Sequence, residues 1–216
     1  SADERVFTPV DAATTRRVAQ LIAARHWAQQ PNDDAVSAEL FDDFLSVWDP
    51  QRLYLTLADV DELTSSRLLL DDQIKAGELQ FPQRVFAQVL SRCRTSQAMA
   101  LAVIDAEHDF SVVEQVRKDT TERPWAATPA QLQEYWRKTI KQELLEQMLT
   151  GESLERARVI VKRRYQTSWN LLAQTDRSEL LESFLSTMMR CLDPHSRYFS
   201  PRQEDEYQVA MSLRLT

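Results

Sequence analysis

The chain has 216 residues and a formal net charge of −7, with 43% hydrophobic and 27% charged residues. That is the make-up of a globular protein long enough for one large or two small domains. The acidic balance argues against nucleic acid or an anionic membrane as the main partner, and no apolar run approaches the ~18 residues of a membrane span. Only two glycines occur, Gly77 and Gly151, where average usage of ~7% would give about 15. Phosphate loops, nucleophile elbows and tight hairpins all lean on glycine, so nucleotide-binding and hydrolase cores are not expected within these residues. The opening "SADERVF" suits a trimmed or mature start, which leaves room for a removed export signal.

The elements read as one amphipathic helix after another. In "VSAELFDDFLSVW", Val36, Leu40, Phe41, Phe44, Leu45 and Trp48 form one helical stripe, which Asp49-Pro50 stops. "TLADVDEL" carries a capping box at Thr56 and Asp59, and the helix it starts is expected to run through Leu63 and Leu68 to a stop at Gly77. A long apolar pattern extends from Pro82 to about Val113. "RKDTTERPWAATP", Arg117 to Pro129, has the composition of a loop. Thr128, Pro129 and Gln131 then spell a cap, a first-turn proline and a capping box. The helix they open carries Leu132, Tyr135, Trp136, Ile140, Leu144 and Met148 and ends at Gly151. Ser153 restarts a helix through Val161, Tyr165, Trp169 and Leu172, and another holds Leu180, Leu181, Phe184, Leu185 and Met188.

After Cys191 and Leu192 the pattern changes. Asp193-Pro194 and Ser200-Pro201 fix backbone angles at both ends of a short turn. His195 sits in that turn, and Tyr198 and Phe199 are placed to anchor it. Asp193, Pro194, His195, Tyr198, Phe199, Ser200 and Pro201 are therefore read as a structural elbow. In "QVAMSLRLT", Val209, Met211, Leu213 and Leu215 alternate as in a strand. A lone strand has no partner in a helical domain, so the expectation is a helical domain over 1–208 and, over 209–216, a strand entering a further domain. The fold class is all-α: an irregular bundle of about seven or eight helices ending in one strand.

Other residues invite chemical readings. His195 as a base has a plainer alternative, a turn histidine bonded to nearby backbone. Asp105 and His108 have the spacing of half a bundle metal site, but such sites need a second Glu-x-x-His pair, and none occurs. Lys162, Arg163 and Arg164 beside Tyr165 and Trp169 could neutralise and stack on nucleic acid, yet the two aromatics belong to the core stripe, which leaves the cations as a solvated face. No catalytic, cofactor-binding or metal-binding residue is assigned. Trp125, beside Pro124 in the loop, is the tryptophan best placed to mark a docking surface. A free-standing helical adaptor and a carboxylate-bridged metal enzyme are the two alternative function classes read from the residues.

"LDPHSRYFSP" followed about ten residues later by "MSLRL" resembles the segment ahead of the PDZ domain in C-terminal processing (tail-specific) serine proteases. "FDDFLSVWDPQRLYLTLADVDEL", "RPWAATPAQLQEYWRK" and "RRYQTSWNLLAQT" are similar to the helical N-terminal domain of the larger Gram-negative members. The resemblance runs from about Val18 to Thr216. It implies a periplasmic endopeptidase that degrades or processes proteins from apolar C-termini with a serine nucleophile and a lysine base. Those residues and the PDZ domain would lie downstream, so this chain is expected to be a non-catalytic scaffold and docking domain without a cofactor. The implied partners are the downstream PDZ and protease domains, substrates with apolar tails, and an adaptor lipoprotein. Lys75, Lys118, Lys138, Lys141 and Lys162 offer no counterpart to a catalytic lysine, which needs a desolvated pocket. In the oxidising periplasm that the resemblance implies, Cys93 and Cys191 could form a disulfide, or each could pack on its apolar stripe as a free thiol.

Overall fold

A computed structural model describes residues 5–25, 33–115, 123–192 and 198. Among them are eight α-helices: α1 (Pro9–Arg25), α2 (Asp33–Trp48), α3 (Leu57–Asp61), α4 (Leu70–Ala76), α5 (Gln80–Asp105), α6 (Pro129–Leu149), α7 (Leu154–Gln174) and α8 (Arg177–Leu192). The all-α expectation holds: the described residues contain no sheet, and their one isolated bridge is the parallel pair Thr56 and Ala126. No described helix is long and apolar enough to cross a membrane.

The chain divides into two compact units. Unit one comprises Ser1–Phe44, Ser65–Arg84 and Asp176–Thr216, and unit two comprises Leu45–Thr64 and Val85–Thr175. Unit one is organised around phenylalanine. Phe44 and Phe184 meet edge to face with ring centroids 5.2 Å apart, and Phe81 lies 5.3 Å from Phe41 and 5.8 Å from Phe44. Leu40, Leu70, Ile74, Leu180, Leu185 and Met188 are buried in the same unit. Full burial of each such side chain contributes ~1.5–3 kcal/mol against leaving it in water. Helix α1 has no counterpart in the pattern reading above. Its signal is local: Thr8 and Asp11 exchange hydrogen bonds across Pro9 as a capping box. Asp11 also pairs with Arg177 at 3.2 Å.

Where one helix was expected from Thr56 to Gly77, there are three short pieces. The Thr56–Asp59 capping box is present, but α3 ends at Asp61, a 3₁₀ turn occupies Thr64–Ser66, and α4 restarts at Leu70. Within "TSS" the Thr64 hydroxyl donates to the Val60 carbonyl at 3.1 Å, the local competition that weakens a helix interior. Gly77 does stop α4. Its φ is +77°, and an added Cβ would meet the Ala12 carbonyl oxygen at 2.7 Å, so glycine is required twice over.

Unit two packs α5, α6 and α7 around Trp136, Ile140, Leu144, Val161, Tyr165 and Trp169, with Leu53, Cys93, Ala100 and Ile104. The α6 and α7 stripes fall where the sequence places them. Thr128 and Ser153 cap as expected, each accepting from the N–H three residues on. One detail of the α6 box differs: the Gln131 side chain reaches past Thr128 and accepts from the N–H of Ala127 at 2.8 Å. Helix α5 stops at Asp105 rather than near Val113. Arg158 of α7 donates to the carbonyls of Ile104 (3.1 Å) and Ala106 (2.9 Å), satisfying acceptors that one more turn would have used.

Candidate docking site

The site begins where α2 ends. Asp49 precedes a proline and is expelled from helical geometry. Its buried carboxylate gathers the next segment by accepting from the N–H groups of Leu53 (2.8 Å), Tyr54 (3.0 Å) and Leu55 (2.9 Å). Burial pushes its pKa up, while the three N–H donors and the charge of Arg52 oppose that rise. The turn places Arg52 in the left-handed region, at φ 49°. Leu57 then donates to the Ala126 carbonyl at 2.9 Å, joining this segment to the end of the following loop.

Two arginines complete the junction by reciprocal bonds. Arg123 donates to the Gln51 carbonyl at 2.9 Å, and Arg52 donates to the Arg123 carbonyl. The Arg52 guanidinium lies over the Trp125 ring, 4.5 Å from its centroid, and the Arg123 guanidinium over Tyr135 at 4.9 Å. Tyr135 is held in turn, donating to the Pro124 carbonyl at 3.2 Å and accepting from Gln131 at 3.0 Å. Arg123 is 7% exposed, and burial pushes its pKa down. Below the site, the Trp136 indole donates to the Leu53 carbonyl at 2.7 Å and the Trp169 indole to the Tyr54 hydroxyl at 3.1 Å. Trp125, singled out in the sequence, is thus half-buried in a cation–aromatic cluster. The two arginines were not singled out, and "DPQR" and "ERPW" offered only a turn and a basic residue beside it.

The other candidates fall elsewhere. Of the elbow, Asp193, Pro194, His195, Phe199, Ser200 and Pro201 lie outside the described residues, as do Lys118 and the strand over 209–216. Tyr198 is half-buried, its carbonyl accepts from the Ser186 hydroxyl at 3.2 Å, and burial raises its phenol pKa. Asp105 and His108 are not brought to a common ligand geometry: Asp105 pairs with Lys162 at 2.6 Å and the His108 ring meets the Val103 carbonyl at 2.8 Å. Lys75, Lys138 and Lys141 are also ion-paired, with Asp71, Glu134 and Glu114. Arg164 pairs with Glu143 at 2.6 Å, and Arg163 is exposed. Both cysteines are free thiols. Cys191 lies with Glu39 and Asp43, ligand atoms within 4.8 Å of one another. Burial and the neighbouring carboxylates push that thiol up to about 12.

The family model described as "Tail specific protease N-terminal domain" matches residues 18–202. The chain belongs to this family. A relative among these tail-specific proteases, the "Tail-specific protease" of Haemophilus influenzae, is 23% identical over 202 residues. The match covers 93% of this chain and 29% of the relative. The tail-specific protease N-terminal domain is therefore less than a third of the length of that relative.

Proposed function

We propose that this chain is the non-catalytic N-terminal scaffold and docking domain of a periplasmic tail-specific serine endopeptidase, which degrades or processes proteins from apolar C-termini. The observation that carries the proposal is the family match across residues 18–202, against a relative bearing the tail-specific protease name in which the matched region is only 29% of the length. The side-chain chemistry supports it. The described lysines lie in ion pairs, the condition that keeps an amine charged and unreactive. The serine, its lysine base and a PDZ domain belong in this reading to the remainder of the polypeptide. A protease that accepts protein tails must admit unfolded chains and exclude folded ones, and a fixed helical body can do so by geometry while a gate moves against it.

The test compares the isolated chain with the intact polypeptide on an unfolded protein bearing an apolar tail. Cleavage is expected from the intact polypeptide and none from the isolated chain. Tail cleavage that survives repurification of the isolated chain overturns the non-catalytic assignment. In the intact polypeptide, Tyr198→Ala is expected to lower the preference for tailed over untailed substrate. An unchanged preference at unchanged stability removes the scaffold role for that segment.

A further inference from the structure

We infer that Arg52, Arg123 and Trp125 anchor a partner protein through a side-chain carboxylate set beside an apolar residue. The inference rests on the docking reading above and gives that reading a chemistry. A guanidinium has five N–H donors. Arg52 and Arg123 each place one on a main-chain carbonyl and stack a face on an aromatic ring. Stacking uses the π-face and leaves the in-plane donors for an acceptor. Among the described residues, neither arginine forms an ion pair with a carboxylate. Among the described residues the charge of Asp49 acts on both arginines, but its oxygens accept from three N–H groups of its own turn and bond neither guanidinium, so two cations share one buried acid. Holding Arg123 at 7% exposure with so little compensation is costly, and an incoming anion would relieve that cost.

The surroundings select the kind of anion. Leu57, whose N–H bonds the carbonyl of Ala126 next to Trp125, is 43% exposed, Pro124 is exposed, and Trp125 is half-buried. Arginine, tryptophan and tyrosine on a preorganised frame are the residues that dominate protein–protein affinity. A polyanion is disfavoured by the chain's own charge of −7, whereas a single carboxylate with an apolar neighbour matches both halves of the site. Paired guanidinium donors suit that carboxylate geometrically.

The experiment selects displayed random peptides, fused so that no free C-terminus is presented, on the intact polypeptide, with counter-selection on its Arg52→Gln/Trp125→Ala variant. Enriched peptides are then made with amidated ends and measured by fluorescence anisotropy. They are expected to carry Asp or Glu next to an apolar residue. Exchanging that acid for its amide, or introducing Arg52→Gln or Trp125→Ala into the protein, should weaken binding roughly tenfold, and Arg52→Lys should weaken it several-fold although the charge is kept. Arg123→Gln removes a buried group, so the partly exposed Arg52 and Trp125 carry the test, with thermal unfolding recorded for each variant. Failure to enrich any peptide, enrichment of peptides lacking acids, or affinities unmoved in folded variants would each overturn the site. So would tighter binding of a phosphoserine peptide, a DNA oligonucleotide or anionic vesicles. If the intact polypeptide still binds partner proteins equally well with and without Arg52→Gln/Trp125→Ala, the carboxylate anchor is wrong while the docking reading survives. If it binds none in either form, both fall.

Discussion

The two units keep their structure by different means. Unit one is centred on volume: Phe41, Phe44, Phe81 and Phe184 interlock with aliphatic neighbours and have no polar atom to satisfy, and its buried polar ties, Ser37 with Asp71 and Asp11 with Arg177, lie apart from that ring cluster. Unit two adds specific polar ties to its apolar core. Asp49 collects three N–H groups, Trp136 holds the Leu53 carbonyl, and the reciprocal arginines close the loop. A phenylalanine cluster tolerates exchange of shape for similar shape. A core pinned by hydrogen bonds fixes where one segment lies and tolerates changes of chemistry poorly. It is unit two, with its direction-setting bonds, that carries the cation–aromatic site, where positions within an ångström matter.

Asp49→Ala leaves three N–H groups without their acceptor, each costing ~1–3 kcal/mol when buried. Because the variant no longer buries a carboxylate, part of that sum is offset, and urea denaturation is expected to show a loss of roughly 3–6 kcal/mol; a loss below about 1 kcal/mol would mean the turn is held by packing instead. Phe184→Ala should cost ~3–5 kcal/mol, but Phe184→Met less than ~1.5. Equal losses for the two would show that unit one is not held by volume. Trp136→Phe keeps much of the volume and removes the bond to Leu53, so ~2–3 kcal/mol is expected. If it behaved like Phe184→Met, the distinction between the units would collapse. Gly77→Ala meets both a positive φ and the Ala12 carbonyl, and ~1–3 kcal/mol should be lost with early hydrogen exchange in α1 and α4.

The smallest effect is pH-dependent. Hydrogen bonds from Arg137 and Lys141 hold the Glu114 carboxyl down at about 2, below its ordinary value of 4.5. Because the folded value is the lower one, the unfolded chain binds more protons between these limits. The pair's contribution is complete above pH 4.5 and is lost as pH falls towards 2. A carboxyl carbon titration by NMR should place the Glu114 midpoint near 2, and Arg137→Gln should move it upward. A midpoint at the ordinary value would show that the pairing does not persist in solution.

Legibility in the sequence followed how local the cause was. The caps of α6 and α7 are written in adjacent residues, Thr128-Pro129 and Ser153, and both appeared where expected. The α1 signal was equally local, in Thr8-Pro9 and Asp11, but lacks the strong apolar stripe that drew attention elsewhere. The end of α5 was not legible, because the donor that satisfies its last carbonyls, Arg158, lies more than fifty residues away. The split between α3 and α4 depends on a competition inside "TSS" that an apolar pattern does not register. At the site, Trp125 was legible as a loop tryptophan beside a proline. Its pairing with Arg52 required loop closure across about seventy residues of chain, whereas the second pair, Arg123 with Tyr135, spans only the turn into α6.

The discontinuous make-up of unit one bears on how the protein is born. Phe41, Phe44 and Phe81 are synthesised early, but Phe184, which completes their cluster, follows roughly a hundred residues behind Phe81. At ~5–20 residues per second, that is about 5–20 seconds during which three aromatic rings lack their lid. Unit two, whose last segment ends at Thr175, can close before α8 has been made. The nascent chain therefore passes through a stage with one finished half and one open, sticky half, the moment at which a chaperone has most to hold.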